Sequence, residues 1–193
     1  MNKLFIIAVL SLSLLSACAR SEQRKSTAVF RGTEQREASL ARKPVEAQAP
    51  YYQGLIEEYR AILAQDSNNF AALVALGNAY FDSGNWKKAI TMYEHALLIN
   101  PRDADVRADM GTAYRNLGLS DRALDEYHLV LKHEPGHLDA RYNMGIVYAY
   151  DKKDYRAAIR IWQDILKAAP NYPYAEDIRL AITALRSRIK EGR

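Results

Sequence analysis

The stretch Leu76-Gly77-Asn78-Ala79-Tyr80 recurs as Met110-Gly111-Thr112-Ala113-Tyr114 and again as Met144-Gly145-Ile146-Val147-Tyr148. The three glycines follow one another at intervals of 34 residues. Each copy is followed by an alanine, an aromatic residue, a smaller apolar residue and a proline, and this second set recurs after 34 and then 35 residues. Its members are Ala89, Tyr93, Ala96 and Pro101, then Ala123, Tyr127, Val130 and Pro135, then Ala158, Trp162, Ile165 and Pro170.

Each repeated unit has the pattern of two helices joined by a short break. In the first helix Leu73, Leu76 and Tyr80 recur at helical spacing, which predicts one buried stripe. Gly77 lies on that face, where the absence of a side chain allows the second helix to come close. The proline that closes each unit ends its second helix. Because a single helix pair cannot bury its apolar face, the units must stack on one another.

The period near 34, the Leu-Gly-x-x-Tyr core, the alanine, the aromatic residue and the closing proline resemble the tetratricopeptide repeat. The resemblance covers just over half of the chain. It implies an all-α superhelix of helix-turn-helix units, in which the first helices line a concave groove. Tetratricopeptide repeats are binding scaffolds with many unrelated partners, so the resemblance predicts an architecture rather than a particular activity.

The same alignment divides the folded part, residues 51–193. We expect repeats at 70–103, 104–137 and 138–172, preceded by a capping half-repeat at 51–66 and followed by a capping helix at 173–190. In the last helix Ile178, Ile182, Leu185 and Ile189 form one apolar stripe, which suits the closing end of a solenoid. The third unit carries one extra residue, which we place in the turn at 151–154.

Composition and charge limit the possible functions. The chain has 193 residues, of which 49% are hydrophobic and 26% are charged. The formal net charge is +4, yet residues 51–193 contain 19 Lys and Arg against 19 Asp and Glu. Without a basic excess or a base-reading motif, we expect no nucleic-acid partner. The single cysteine, Cys18, excludes an internal disulfide.

The amino terminus is typical of an export signal. Lys3 precedes a compact apolar run over residues 4–15, which is too short to span a bilayer comfortably. The run ends in Leu15-Ser16-Ala17-Cys18, which resembles the lipobox of bacterial lipoproteins. That resemblance implies a signal peptide at 1–17, acylation of Cys18 with palmitate-like chains, and a membrane anchor. Ala19 after the cysteine favours the outer membrane, with the protein facing the periplasm.

Two alternatives to the lipoprotein remain open. Ala17-Cys18-Ala19 also fits ordinary signal cleavage, which would release a soluble periplasmic protein. The apolar segment could also stay uncleaved as an inner-membrane anchor. Residues 19–50 carry seven Lys and Arg against four Asp and Glu and have no apolar periodicity. We therefore predict that residues 18–50 form a lipidated, disordered tether that ends at Pro50.

One motif invites an enzymatic interpretation. His133-Glu134-Pro135-Gly136-His137 reads as H-E-x-x-H, the zinc-protease pattern, which requires both histidines on one continuous helix. Pro135 and Gly136 interrupt the helix, and the period places this segment in the turn between two units. We therefore expect no metal, no cofactor, no catalytic residue and no enzymatic activity.

A protein or peptide partner in the groove is the better hypothesis. Projection from the repeat alignment gives these groove residues: Asn78, Phe81 and Asp82, then Asp105, Ala108, Asp109, Thr112, Arg115 and Asn116, then Asp139, Tyr142, Asn143, Ile146 and Tyr150. Some family members hold a terminal carboxylate with a Lys, Arg and Asn clamp, but here Val74, Asp109 and Asp139 occupy three of its positions. Exposed Phe81, Tyr142 and Tyr150 between aspartates favour a segment with basic and apolar side chains.

Two function classes follow from the resemblance. The first is an anchored periplasmic adaptor that supports assembly of an envelope complex, such as pilus secretin assembly or the recruitment of cell-wall hydrolases. The alternative is a chaperone-like factor in the maturation of exported proteins such as c-type cytochromes. Self-association through the ends of the solenoid, which would give a homo-oligomer, is a further possibility.

Overall fold

The computed structural model describes residues 45–192, with side chains from Pro50 onward. This range contains eight α-helices and no strand. They are α1 (Val45–Gln65), α2 (Phe70–Asp82), α3 (Trp86–Ile99), α4 (Ala104–Asn116), α5 (Ser120–His133), α6 (Leu138–Ile146), α7 (Tyr155–Ala168) and α8 (Ala175–Lys190). A π-helical turn, Val147–Asp151, continues α6. The predicted signal peptide, Cys18 and residues 19–44 of the tether lie outside the described residues.

From α2 onward, each helix packs mainly against its neighbours in the chain, as expected of a stack of helix pairs. The first helix of each pair begins after a capping side chain, and these caps also recur every 34 residues. Asn69 and Asp103 accept hydrogen bonds from the backbone N–H groups of Ala72 and Val106, both at 3.0 Å. Each such cap stabilises its helix by about 1 kcal/mol. The repeat is therefore encoded in the helix ends as well as in the core.

The repeated glycines are the points of closest contact within each pair. A Cβ atom placed on Gly77 would lie 2.5 Å from Cε1 of Tyr93, and one on Gly111 would lie 2.7 Å from Cε1 of Tyr127. In the third unit a Cβ on Gly145 would lie 2.2 Å from Nε1 of Trp162. The aromatic ring of each second helix thus packs directly on the glycine of the first. This contact explains why glycine and the aromatic residue recur together.

The core of the described part of the chain consists of two apolar clusters. One joins α1 to α6 and contains Tyr93 and Tyr127; the other joins the third unit to α8 and contains Trp162 and Ile178. Tyr148 is half-buried and packs against both clusters. No polar or charged side chain is fully buried among the described residues. Apolar packing between helix pairs is therefore the main stabilising interaction.

The first helix corrects one predicted boundary. We expected the tether to end at Pro50, but α1 begins at Val45 and contains Pro50. Pro50 is the sixth residue of this helix and lacks the N–H that would donate to the carbonyl four residues earlier. Ile56 is buried, whereas Ile62, which lies 34 residues before the fully buried Ala96, is 37% exposed. The helix therefore packs with a face shifted from the repeat alignment.

The extra residue of the third unit lies in the helix and not in the turn. The backbone N–H of Lys152 donates to the carbonyl of Val147 at 3.0 Å, an i to i−5 hydrogen bond. A π-helical turn of this kind is how an α-helix accommodates a single inserted residue. The following turn then keeps the geometry of the other units, because Lys153 (φ 57°) adopts the left-handed conformation of Gly84 (φ 76°) and Gly118 (φ 77°).

The last helix packs as its apolar stripe predicts. Ile178, Ile182 and Leu185 are buried, and Ile189 is partly buried against the same cluster. The opposite face carries exposed Arg186. The α8 helix therefore closes the carboxyl end of the stack with a polar outer face. No helix in residues 45–192 combines the length and the apolar character needed to cross a bilayer.

Candidate functional site

A row of aspartates crosses the first helices of all three units. Asp82 ends α2, Asp105 and Asp109 lie on α4, and Asp139 lies in the first turn of α6. All four are exposed to solvent. We call the surface formed by these four residues the acidic face. All four were projected to line the groove.

The electrostatics show that the aspartates of the acidic face share one environment. Partial removal from water raises the pKa of Asp109 to about 6, and the charges of Asp105, Asp82, Asp103 and Asp139 raise it further. Desolvation also raises the pKa of Asp82. Asp109 is reached by water, but neighbouring protein atoms remove part of its hydration. Negative charge therefore accumulates here at neutral pH without a compensating cation beside Asp109.

Two of the four carboxylates are engaged by a side chain at the end of their own unit. Asp105 Oδ1 lies 3.1 Å from Nε2 of His137, whose Nδ1 accepts a hydrogen bond from the backbone N–H of Ala140. Because Nδ1 accepts, Nε2 carries the proton and donates to Asp105. One unit later, the hydroxyl of Tyr172 donates to Asp139. Asp82 and Asp109 make no hydrogen bond or ion pair with any residue in the described range, so they are the free carboxylates of the acidic face.

Three polar residues projected into the groove have structural partners. The hydroxyl of Tyr93 donates to Asn78 Oδ1 at 2.8 Å, and the hydroxyl of Tyr127 lies 3.1 Å from Thr112 Oγ1. Asn143 donates to the same Thr112 oxygen at 3.3 Å and so links the second and third units. These side chains satisfy the polar atoms of the buried tyrosines. Their first role is to hold the helix pairs together.

Arg115, the only positive charge projected into the groove, is neutralised. Its guanidinium donates to both carboxylate oxygens of Asp151, at 2.9 and 3.1 Å, and the hydroxyl of Ser120 donates to Asp151 as well. Asp151 ends the π-helical turn of the next unit. The bidentate pair therefore bridges two units and leaves the acidic face with its negative charge.

The aromatic residues projected as exposed differ in their placement. Phe81 was expected to be exposed, but it is half-buried against the cluster that contains Tyr93 and Tyr127. The polar groove residue Asn116, beside the turn, is half-buried too. Tyr142 is also half-buried, because it stacks on Tyr174 with ring centroids 4.9 Å apart. Only Tyr150 is well exposed, at 54%.

Tyr142 belongs to an aromatic group that the repeat alignment did not indicate. Its ring centroid lies 6.0 Å from that of Tyr172 and 6.3 Å from that of Trp162. The Trp162 indole N–H donates to the backbone carbonyl of Tyr142 at 3.2 Å. Tyr172 ends the last repeat and Tyr174 follows it, so the only signal for them was their aromatic character. The group joins the third unit to the capping helix.

A small cavity opens beside this group, on the same first-helix side. Its volume is about 130 Å³. We call it the aromatic pocket, and its lining residues are Tyr142, Ile146, Tyr150, Trp162, Asp177, Ile178 and Ala181. Burial raises the pKa of the Tyr142 phenol, and the Asp177 carboxylate raises it further. A larger cavity of about 330 Å³ at the turn of the first unit contains none of the predicted site residues.

The H-E-x-x-H motif is divided between two elements. The α5 helix ends at His133, Glu134 caps it, and His137 is the cap that precedes α6. His137 is held by Asp105 and by the backbone of its own helix. Within residues 45–192, no group of three or more His, Cys, Asp or Glu residues could hold a metal ion. The helical geometry that the protease motif requires is absent here.

Comparison with known proteins agrees with this architecture. A family model described as TPR repeat matches residues 77–118, and one described as tetratricopeptide repeat matches residues 108–176. Two solved structures, both crystal structures of MamA, resemble the chain with TM-scores of 0.59 and 0.58 at 18% and 20% identity. The matches cover 78% and 76% of this chain and 96% and 84% of those chains. No curated protein sequence matches this one.

At such low identity the structural likeness supports the fold alone. The two family models together extend from Gly77 to Glu176 and include all three copies of the Gly-x-x-Tyr pattern. The helix order, the stacking and the family models agree with one another. The chain therefore carries tetratricopeptide repeats, and its described part is an all-α tetratricopeptide-repeat superhelix.

Proposed function

We propose that this protein is a lipid-anchored adaptor of the bacterial envelope, which binds a protein or peptide partner on its acidic face and supports assembly of an envelope complex. Tetratricopeptide repeats commonly act as protein-interaction scaffolds and are not typically catalytic. The observation that carries the proposal is the pair of unpartnered carboxylates, Asp82 and Asp109, on adjacent first helices. Like charges held together without a cation are unfavourable in the free protein.

The charge of the acidic face selects the kind of partner. Asp109 has a pKa raised to about 6, so it is ionised above that pH and attracts a basic side chain. Arg115 is paired with Asp151 and does not offset this charge. A free terminal carboxylate would be repelled. The partner segment should therefore be basic, with apolar side chains for the exposed ring of Tyr150.

The location rests on the sequence of the amino terminus. A lipobox-like segment that ends at Cys18 supports acylation of that cysteine, and several acyl chains give stable membrane attachment. The tether would then hold the repeat domain near the periplasmic face of the outer membrane. Substitution Cys18→Ser should move the protein from the membrane fraction to the soluble fraction and abolish labelling with a palmitate analogue. Retention in the membrane without labelling would instead indicate an uncleaved anchor.

The binding surface can be tested by neutralising the free carboxylates. The double variant Asp82→Asn and Asp109→Asn should lose partner capture from native membranes, because it removes two charges without removing any hydrogen bond seen in the fold. The double variant Asp125→Asn and Asp164→Asn, on exposed positions of second helices, is the matched control. Both variants must retain their thermal unfolding transition. Unchanged capture by the first variant would refute the acidic face as the binding surface.

The identity of the captured protein separates the two function classes. A secretin subunit or a cell-wall hydrolase would support the adaptor. Haem-binding Cys-x-x-Cys-His segments in the captured protein would favour the maturation factor.

A further inference from the structure

The aromatic pocket has a composition that the repeat fold itself does not require. Trp162 and Ile178 are almost fully buried, at 2% and 1% exposure, and form the inner part of the pocket. Tyr150 and Asp177 are exposed and lie at its opening. Asp177 comes from α8, which closes the stack, and Tyr150 comes from the third repeat. The pocket therefore exists only where the last repeat meets the capping helix.

The charge at the pocket is unbalanced. On α8, Glu176 pairs with Arg179 at 3.2 Å, whereas the neighbouring Asp177 forms no ion pair or hydrogen bond with any residue in the range 45–192. No lysine or arginine lines the pocket. A carboxylate beside three aromatic side chains, without its own cation, provides two attractions for a positive group: a direct ion pair and contact with electron-rich rings.

We infer that the aromatic pocket receives the side chain of an arginine or lysine residue from the bound partner, with Asp177 as the counter-ion. This inference rests on the proposed function and specifies one subsite of the partner-binding surface. The volume of about 130 Å³ gives room for several water-sized groups, which suits a guanidinium or ammonium group with its adjoining methylenes. The apolar side chain of Ile146 in the lining suits those methylenes.

The pocket extends the charge pattern of the acidic face. Asp82, Asp109 and Asp177 are unpartnered carboxylates that belong to the first unit, the second unit and the capping helix. An extended peptide with basic residues spaced along it could satisfy all three. Of these positions, only Asp177 combines the carboxylate with an aromatic cavity, so it should discriminate most strongly between a cation and a neutral group of the same shape.

The two tryptophans of the chain allow a direct test. With ¹⁵N-tryptophan in the full chain, two indole N–H signals are expected: Trp162 lies in the pocket, and Trp86 lies in the first unit and serves as an internal control. The probe is N-acetyl-arginine methylamide, and its control is the citrulline compound, which has nearly the same shape and no charge. The arginine compound should shift the Trp162 signal saturably and bind at least about fivefold more tightly than the citrulline compound.

Two variants and a control complete the test. Asp177→Asn should reduce affinity for the arginine compound by about fivefold or more and remove the preference over citrulline. Tyr150→Leu should also weaken binding, because it keeps an apolar group but removes a ring. Glu176→Gln, next to Asp177, should bind like the parent. An unchanged position of the ligand-free Trp86 signal and a retained thermal unfolding transition show that each variant is folded.

The inference fails if both compounds shift Trp162 equally, if neither does, or if Trp86 responds as strongly as Trp162. It also fails if Asp177→Asn binds the arginine compound like the parent. Such a result is distinct from failure of the proposed function. An inert pocket together with loss of partner capture in the Asp82 and Asp109 variant would refute this subsite alone and leave the acidic face as the binding surface.

Discussion

The contact between Gly145 and Trp162 predicts that replacing this glycine by alanine destabilises the fold, which is opposite to the usual effect in a helix. In an exposed helix, replacing glycine by alanine stabilises by about 1 kcal/mol. At Gly145 the new Cβ would lie 2.2 Å from Nε1 and 2.7 Å from two carbons of the Trp162 ring. This indole is 2% exposed and cannot move into solvent. The ring would have to shift, and its hydrogen bond to the Tyr142 carbonyl would be strained.

The magnitude follows from these opposing effects. Overpacking of a rigid core costs about 1–3 kcal/mol, and a weakened hydrogen bond from a buried indole costs about 1 kcal/mol more. After the gain in helix propensity, Gly145→Ala should lower the free energy of unfolding by about 2 kcal/mol. For a domain of this size that corresponds to a fall in Tm of about 6 °C.

Gly54 provides the matched control. It lies inside α1, and a Cβ at this position would meet no atom within 4 Å. Gly54→Ala should therefore raise Tm by a few degrees, because alanine has the higher helix propensity and no clash opposes it. Circular dichroism at 222 nm during heating measures both variants. If Gly145→Ala stabilised as much as Gly54→Ala, the glycine–aromatic contact would not be the packing constraint that we infer.

Three further changes test other parts of the account. The raised pKa of Asp109 means that the folded state holds its proton more tightly than the unfolded chain, so the free energy of unfolding falls as the pH rises from 3.8 to about 6. Asp109→Asn should remove this fall and should therefore stabilise the fold at pH 7.5. Arg115→Ala and Asp151→Ala should each destabilise the fold, and a double-mutant cycle should give a coupling energy of about 1 kcal/mol or more. Lys153→Gly should stabilise by about 0.5–1 kcal/mol, because glycine adopts φ 57° without strain.

Each of these predictions has a control or a contradicting result. Asp125→Asn, at an exposed position on α5, should leave the pH profile of stability unchanged. Additive effects of the Arg115 and Asp151 substitutions would show that this bridge between units does not hold in solution. A lower Tm for Lys153→Gly would mean that the greater flexibility of glycine in the unfolded chain outweighs the relief of backbone strain.

The architecture was predictable because the residues that make each packing contact recur in all three repeats. The recurrence of Gly77 with Tyr93 at equivalent positions indicated a helix contact, and the structure places the ring on the glycine. The stripe on α8 predicted which side is buried, since a period of 3.6 residues defines one face. The start of α1 was not predictable, because Pro50 was interpreted as a boundary, whereas it lies about one and a half turns inside the helix.

The candidate site was only partly predictable, because repeat alignment projects positions and not partners. Arg115 was expected to be available in the groove, but its partner Asp151 lies 36 residues away at the end of a π-helical turn that an inserted residue creates. Tyr142 was expected to be exposed, but Tyr174, outside the repeats, covers it. Contacts that involve an irregular element or a segment beyond the repeat have no periodic signal in the sequence.

The central claim is that the partner binds to the surface formed by the first helices of the repeats. Photo-crosslinking in intact cells tests this claim most directly. A benzophenone amino acid replaces Tyr150, whose ring is 54% exposed, and in a second strain it replaces Arg186 on the outer face of α8. We predict discrete adducts with a protein that carries basic segments from position 150 and few or none from position 186. Adducts from position 186 alone, or only adducts between copies of this chain, would contradict the account.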